Sequence, residues 1–162
     1  LPAKATDAHL ARFDKMRNAS GGEPVAKLRL EMQKAMQSNC AVFRTGSVLK
    51  DGVSAIEDVY KKVPAIDVKD RGMVWNTDLI EALEFDNLIC QAAVTVNSAA
   101  NREESRGAHA REDFSDRNDE KWMKHTLAWV DGAGKVTIDY RPVHEYTLSN
   151  DIAYIEPKAR VY

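Results

Sequence analysis

The sequence predicts a mainly α-helical fold: an antiparallel bundle of three longer helices and one short one, followed by a small C-terminal domain with a β-hairpin. Three observations predict it. Apolar residues recur at three- and four-residue spacing in four segments between positions 6 and 101, the period of an amphipathic helix. The breaks between those segments are mostly short, which favours up-down packing of neighbours. Beyond Phe114 the period falls to two on either side of a glycine-containing turn, the pattern of a half-buried hairpin. The expected division is 1–110 for the bundle and 111–162 for the C-terminal domain.

The first helix is expected over 7–18, with Thr6 or Asp7 as its cap and Leu10, Phe13 and Met16 as its apolar stripe. "SGG" at 20–22 ends it, because glycine accepts the backbone angles of a helix exit. Pro24 opens the second helix, running to about Cys40, with Val25, Leu28, Met32, Ala35 and Met36 on one face. "RTG" at 44–46 is a break. The third helix follows over about 47–62, with Leu49, Val53, Ile56, Val59 and Tyr60 inward, and Pro64 stops it. Residues 65–76 are mixed and polar and read as a connection. The longest helix runs over about 77–101, capped by Thr77 with Glu81 and burying Leu79, Leu83, Leu88, Ile89, Ala92 and Val96. Small residues near its end (Ala92, Ala93, Ser98, Ala99, Ala100) admit another backbone closely. Strands over 126–130 and 135–140 flank the "DGAG" turn, and Pro142 stops the second or marks it as an edge. The tail to Tyr162 has no periodicity and is expected to wrap a neighbour.

Composition narrows the function. The 162 residues are 44% hydrophobic and 30% charged, with a net charge of −2, which gives no field for nucleic acid or an anionic membrane. No run approaches the roughly 18 apolar residues of a spanning helix, and no secretory signal opens the chain. Cys40 and Cys90 lie in apolar helical patterns; the count alone allows a disulfide, but two buried thiols are the expectation. The chain begins without methionine, so a processed front or an excised piece of a longer protein is expected.

The usual chemical motifs are missing. His9, His109, His125 and His144 are far apart, and neither HxxxH nor CxxC occurs, so no metal site is expected. "DGAGK" does not join a strand to a helix and reads as a hairpin, not a phosphate loop. Ser105 lacks the strand–turn context of a nucleophile elbow, which disfavours a hydrolase built on Ser105 and His109. Trp122, Trp129 and Tyr140 have no basic stripe beside them and read as a seam between hairpin and helices, so no nucleic-acid partner is expected. What remains is "NREESRGAHARED" at 101–113, dense in charge and interleaved with small residues. A solvated loop with compensating charges is the plain reading. The three arginines suit bidentate carboxylate pairing, and the small residues suit close packing against another surface. Arg102, Glu104, Ser105, Arg106, His109, Arg111 and Asp113 are therefore the candidate interface residues.

That segment, with Phe114, also resembles the C-terminal signature of the succinate dehydrogenase and fumarate reductase flavoprotein subunits. "WMKHTLAWVDGAGKVTIDYRPV" at 122–143 is similar to the succinate dehydrogenase branch. "AKLRLEMQKAMQSNCAVFRTGSVLKDG" at 26–52 and "ALEFDNLICQAAVTVNSAANREESRGAH" at 82–109 are similar to the family's helical domain, and "PKARVY" at 157–162 to its C-terminus. The short 114–122 connection looks bacterial more than mitochondrial. The resemblance implies a large flavoprotein with covalent FAD that oxidises succinate to fumarate. It implies electrons passed to an iron–sulfur subunit and on to quinone, with membrane anchor subunits as indirect partners. It places such a protein on the cytoplasmic side of a bacterial inner membrane, or on the matrix side in mitochondria. The chain departs from the family pattern in having no GxGxxG. The family's catalytic and flavin-linking residues belong to its flavin and capping domains, so the resemblance implies no catalytic, cofactor or metal residue here. It implies a segment that packs on the flavin domain of the same parent chain and on the iron–sulfur subunit, silent by itself. Fumarate reductase, an L-aspartate oxidase-like flavoprotein and an independent helical interaction module are the alternatives.

Overall fold

The computed structural model describes residues 4–158. Residues 1–3 and 159–162, and with them most of "PKARVY", lie outside the described residues. In chain order the elements are α1 (Asp7–Arg17), β1 (Glu23–Pro24), α2 (Val25–Asn39), α3 (Gly46–Tyr60), a 3-10 turn (Val63–Ala65), β2 (Ile66–Asp67), α4 (Thr77–Asn101), α5 (Asp119–Trp122), β3 (Lys124–Val130) and β4 (Val136–Pro142). The three longer helices pack on one another as expected. Their shared core is Leu28 of α2, Leu49 and Ile56 of α3, and Phe85, Ile89 and Val96 of α4, all at most 1% exposed. Each such side chain contributes about 1.5–3 kcal/mol through loss of water contact. β3 and β4 pair antiparallel from Lys124↔Pro142 to Val130↔Val136, and β3 lies against α4. Among the described residues no helix is long and apolar enough to cross a membrane.

Several details differ from the sequence reading. Thr6 sits at the N-cap of α1 but its side chain makes no cap bond. The cap of α4 is Asn76, whose Oδ1 accepts from Leu79 N at 2.8 Å, in place of the expected Thr77–Glu81 pairing. Asn76 also donates to Asp70 O and Gly72 O, so one amide closes the preceding loop and starts the helix. Pro24 stands at the N-cap of α2, one position before the expected site, with an extended ψ of 131°. α3 ends at Tyr60, and Pro64 belongs to the separate 3-10 turn. Leu10, Leu88 and Trp129 are exposed where inward positions were expected: α1 buries no residue fully, and the buried row of α4 runs through Phe85, Ile89, Ala92 and Val96 beside Leu88. The 65–76 connection holds β2 and two fully buried side chains, Ile66 and Val68. β1 and β2 pair parallel over two residues, too short for any sequence period to show. Cys40 and Cys90 are free thiols; Cys40 is buried and Cys90 half-buried. Residues 143–158 form no helix or strand, and Tyr146, Leu148, Ile152 and Ile155 are exposed there.

The hairpin tip is fastened to the end of α3. The Tyr60 hydroxyl donates to Asp131 O at 3.4 Å, and Gly134, at φ +86°, lies under the ring. A Cβ at Gly134 would stand 2.5 Å from Tyr60 Cγ. Gly134→Ala is therefore expected to lift the hairpin and cost about 1–3 kcal/mol. Urea unfolding measures this, and an unchanged midpoint would mean the tip is not docked.

Candidate functional site

The 102–113 segment leaves α4 and folds back over the end of the bundle. Arg106 and His109 close a tight turn by mutual backbone bonds of 2.8 and 3.0 Å, with Gly107 at φ +58°. The turn carries a chain of charged groups that tie the bundle to the C-terminal hairpin. At its centre Glu104 is fully buried. Its Oε1 accepts from Arg102 Nε and Arg106 Nε, both at 2.8 Å. Its Oε2 accepts from Arg106 Nη2 at 3.1 Å and Asn118 N at 2.9 Å. Burial pushes the Glu104 carboxyl up, but the bonds from Arg106, Asn118 N and Arg102 outweigh it and hold the group below the usual carboxylate range. Arg102 reaches on to Lys124 O and Thr126 Oγ1 at 3.0 and 3.1 Å and to Trp122 O. Arg106 also donates to Asp119 Oδ1 at 2.5 Å. Trp122, buried, meets Tyr140 edge-on at 6.0 Å with Arg102 over its ring, so two of the three expected seam aromatics form one.

A second set joins two helix ends. Arg111 is 3% exposed. Its Nη1 lies 3.3–3.4 Å from the carbonyls of Ala99, Ala100 and Arg102, at the C-terminus of α4. Its Nε and Nη2 hold Asp113 bidentately at 2.7 and 2.8 Å. Asp113 Oδ2 accepts from Gly46 N at 2.7 Å, the first amide of α3. A cation thus meets the negative end of one helix and an anion the positive end of its antiparallel neighbour. Ser105 Oγ accepts from Arg111 N and donates to Phe114 O, both at 2.8 Å.

His109 is half-buried. Arg44 Nη1 can only donate, so His109 Nδ1 accepts from it at 2.9 Å, and Nε2–H donates to Arg102 O at 2.9 Å. The ring is therefore the neutral Nε2–H tautomer. Burial pushes its pKa down, and the charges of Arg44, Arg111 and Arg102 push the same way against the Arg102 carbonyl. Ser105 and His109 each bond to other groups, so the geometry supplies no nucleophile–base pair. The seven predicted residues do converge in one network. The sequence reading missed Arg44, which also donates to Ala41 O and Cys40 O at the end of α2. It missed Asn118 and Asp119 too. Nothing in the local pattern distinguishes these three from ordinary loop residues.

The network has a pH signature. The hydrogen bond from Arg111 holds Asp113 down at about 2, so its stabilisation is full above the ordinary 3.8 and is lost as pH falls towards 2. His109 is likewise depressed; its contribution is full above the ordinary 6.5 and is lost as pH falls through its lower folded value. Urea midpoints are expected to fall stepwise from about pH 7 to about pH 2, with Asp113→Asn flattening the lower step. An Asp113→Asn profile parallel to the unaltered one would refute the assignment.

Residues 29–162 match the family described as fumarate reductase flavoprotein C-term. The chain is 54% identical over 159 residues to a succinate dehydrogenase flavoprotein subunit of Rickettsia bellii, covering 98% of this chain and 27% of that protein. It is 33% identical to a fumarate reductase flavoprotein subunit of Haemophilus influenzae, covering 100% of this chain and 26% of that one. Among solved structures, a quinol fumarate reductase of E. coli superposes with a TM-score of 0.83 at 32% identity, over 92% of this chain and 26% of that chain. The chain thus spans about a quarter of the length of the relatives it matches.

Proposed function

The chain belongs to the fumarate reductase flavoprotein C-terminal family, and from that premise we propose that it is the helical and C-terminal portion of a succinate dehydrogenase flavoprotein subunit. The observation that carries the choice of branch is the 54% identity to a succinate dehydrogenase flavoprotein subunit, against 33% to a fumarate reductase one. The parent would oxidise succinate to fumarate on FAD, pass electrons to an iron–sulfur subunit and quinone, and lie peripherally at the cytoplasmic face of a bacterial inner membrane.

These residues do not fit the flavin. Its pyrophosphate needs close backbone approach at a glycine-rich strand-to-helix turn. The strand-to-helix junction of β1 with α2 is Pro24–Val25, and Gly134 is filled by the Tyr60 ring. The flavin is therefore assigned to polypeptide outside this chain, and no reaction step falls on the residues described. Their part is mechanical. The bundle buttresses the flavin domain and offers surface to the iron–sulfur subunit. Arg102, Glu104, Ser105, Arg106, His109, Arg111 and Asp113 support that seam by holding the 102–113 turn in one shape, since most of their polar groups are bonded within the chain. The test compares these 162 residues with the full flavoprotein. Flavin absorbance and succinate-dependent dye reduction are expected from the full polypeptide and from neither measurement on the chain alone. Activity of the chain alone would overturn the reading.

A further inference from the structure

A groove of about 500 Å³ runs between the C-terminal half of α4 and β3. Its polar walls are Arg44, Arg102, His109, Thr95, Ser98 and Thr126, and no carboxylate lines it. Thr95 and Ser98 fall at three-residue spacing and share one face of α4, and Arg102 is its C-cap. Arg44 uses its Nε–H on Ala41 O, one Nη2–H on Cys40 O and one Nη1–H on His109, leaving two of a guanidinium's five donors. Arg102, Arg106, Arg111 and Arg117 have Glu104, Asp113 and Asp119 as ion-pair partners, whereas Arg44 lacks one among the described residues. His109 cannot make up for that, because its one acceptor already faces Arg44.

We propose that this groove is an anion site whose occupant is the carboxylate of an acidic side chain from polypeptide outside these 162 residues. Two carboxylate oxygens match the spare N–H pair of Arg44 together with the Thr95 and Ser98 hydroxyls. A protein side chain is favoured over a free ion because Val42 and Phe43, the two residues before Arg44 in sequence, are 73% and 76% exposed, apolar surface that a protein partner would cover and an ion would not. The length of the matched relatives supplies such polypeptide, about three quarters of each lying beyond this chain. The inference rests on the functional reading above.

The experiment uses the intact flavoprotein in its assembly. Succinate-dependent dye reduction is measured first, so that failure of the functional reading is seen separately. Thr95→Lys then places an amine at the lip of the groove, and a water-soluble carbodiimide joins an amine to a touching carboxylate with loss of water. Mass spectrometry is expected to find position 95 linked to an aspartate or glutamate outside this chain. Adding Arg44→Gln should lower that yield by about tenfold. No link from position 95, or a link only to an acidic residue within the chain, overturns the proposal. The unaltered assembly gives an independent readout, since Arg44 under a seated carboxylate should resist phenylglyoxal. Arg44 that reacts freely overturns it. Arg44 that reacts freely and is shielded by added inorganic phosphate assigns the groove to a free ion, which also overturns it.

Discussion

Replacing Glu104 with alanine is expected to destabilise the chain by about 3–5 kcal/mol, because two largely buried guanidiniums would lose the carboxylate they share. Arg102 and Arg106 are 15% and 27% exposed, so water cannot simply take the place of Glu104. The loss would act at a distance from the bundle core. Arg102 also holds the backbone at Trp122 and Lys124, and Arg106 holds Asp119, so the start of the hairpin is fixed through one carboxylate. Trp122 is the buried tryptophan among those described, Trp75 and Trp129 being exposed, so its emission should shift to the red as the hairpin loosens. Glu104→Gln keeps the shape and loses the charge, and should fall between, at about 1–3 kcal/mol. Equilibrium urea unfolding separates the cases. A Glu104→Ala loss under about 1 kcal/mol, the size of an exposed pair, would show that the carboxylate is hydrated and the network ornamental.

The bundle could be read in the sequence because its information is local. α4 spans the expected 77–101, since its apolar period runs unbroken and both flanks carry polar loop residues. The hairpin was legible for the same reason, as two alternating runs about one turn. The misses have a common cause. Asn76 takes the place of Thr77 as the cap because its amide also satisfies two carbonyls of the loop just before it, a loop shape that no apolar period encodes. β1 and β2 pair across about forty residues with only two residues each. The charged segment was visible as a cluster, but its partners were not. Glu104 and Glu103 are adjacent glutamates of one sequence type, yet Glu104 is buried under two arginines and Glu103 meets Lys121 in solvent. Only the path of the chain after α4 decides between them.

Arg111→Ala is the second large effect, expected at about 3–5 kcal/mol, and it tests whether the two helix ends are joined by one ion pair. α3 and α4 are antiparallel neighbours, so the C-terminal carbonyls of α4 lie beside the N-terminal amides of α3. Arg111 sits on the first and Asp113 on the second. Deleting the guanidinium leaves those carbonyls without their donor and Asp113 without its bidentate partner. Arg111→Lys keeps a charge but not a fork. One ammonium cannot hold both Asp113 oxygens and reach three carbonyls, so a loss of about 1–3 kcal/mol is expected despite the conserved charge. Asp113→Ala alone should cost less than Arg111→Ala, because Arg111 keeps its carbonyls. The double variant should then recover about 1–3 kcal/mol of the summed losses, the coupling of the pair itself. Strict additivity in that cycle would mean that the two residues stabilise their helix ends independently, and that the fold-back of 102–113 is held by the Glu104 network alone.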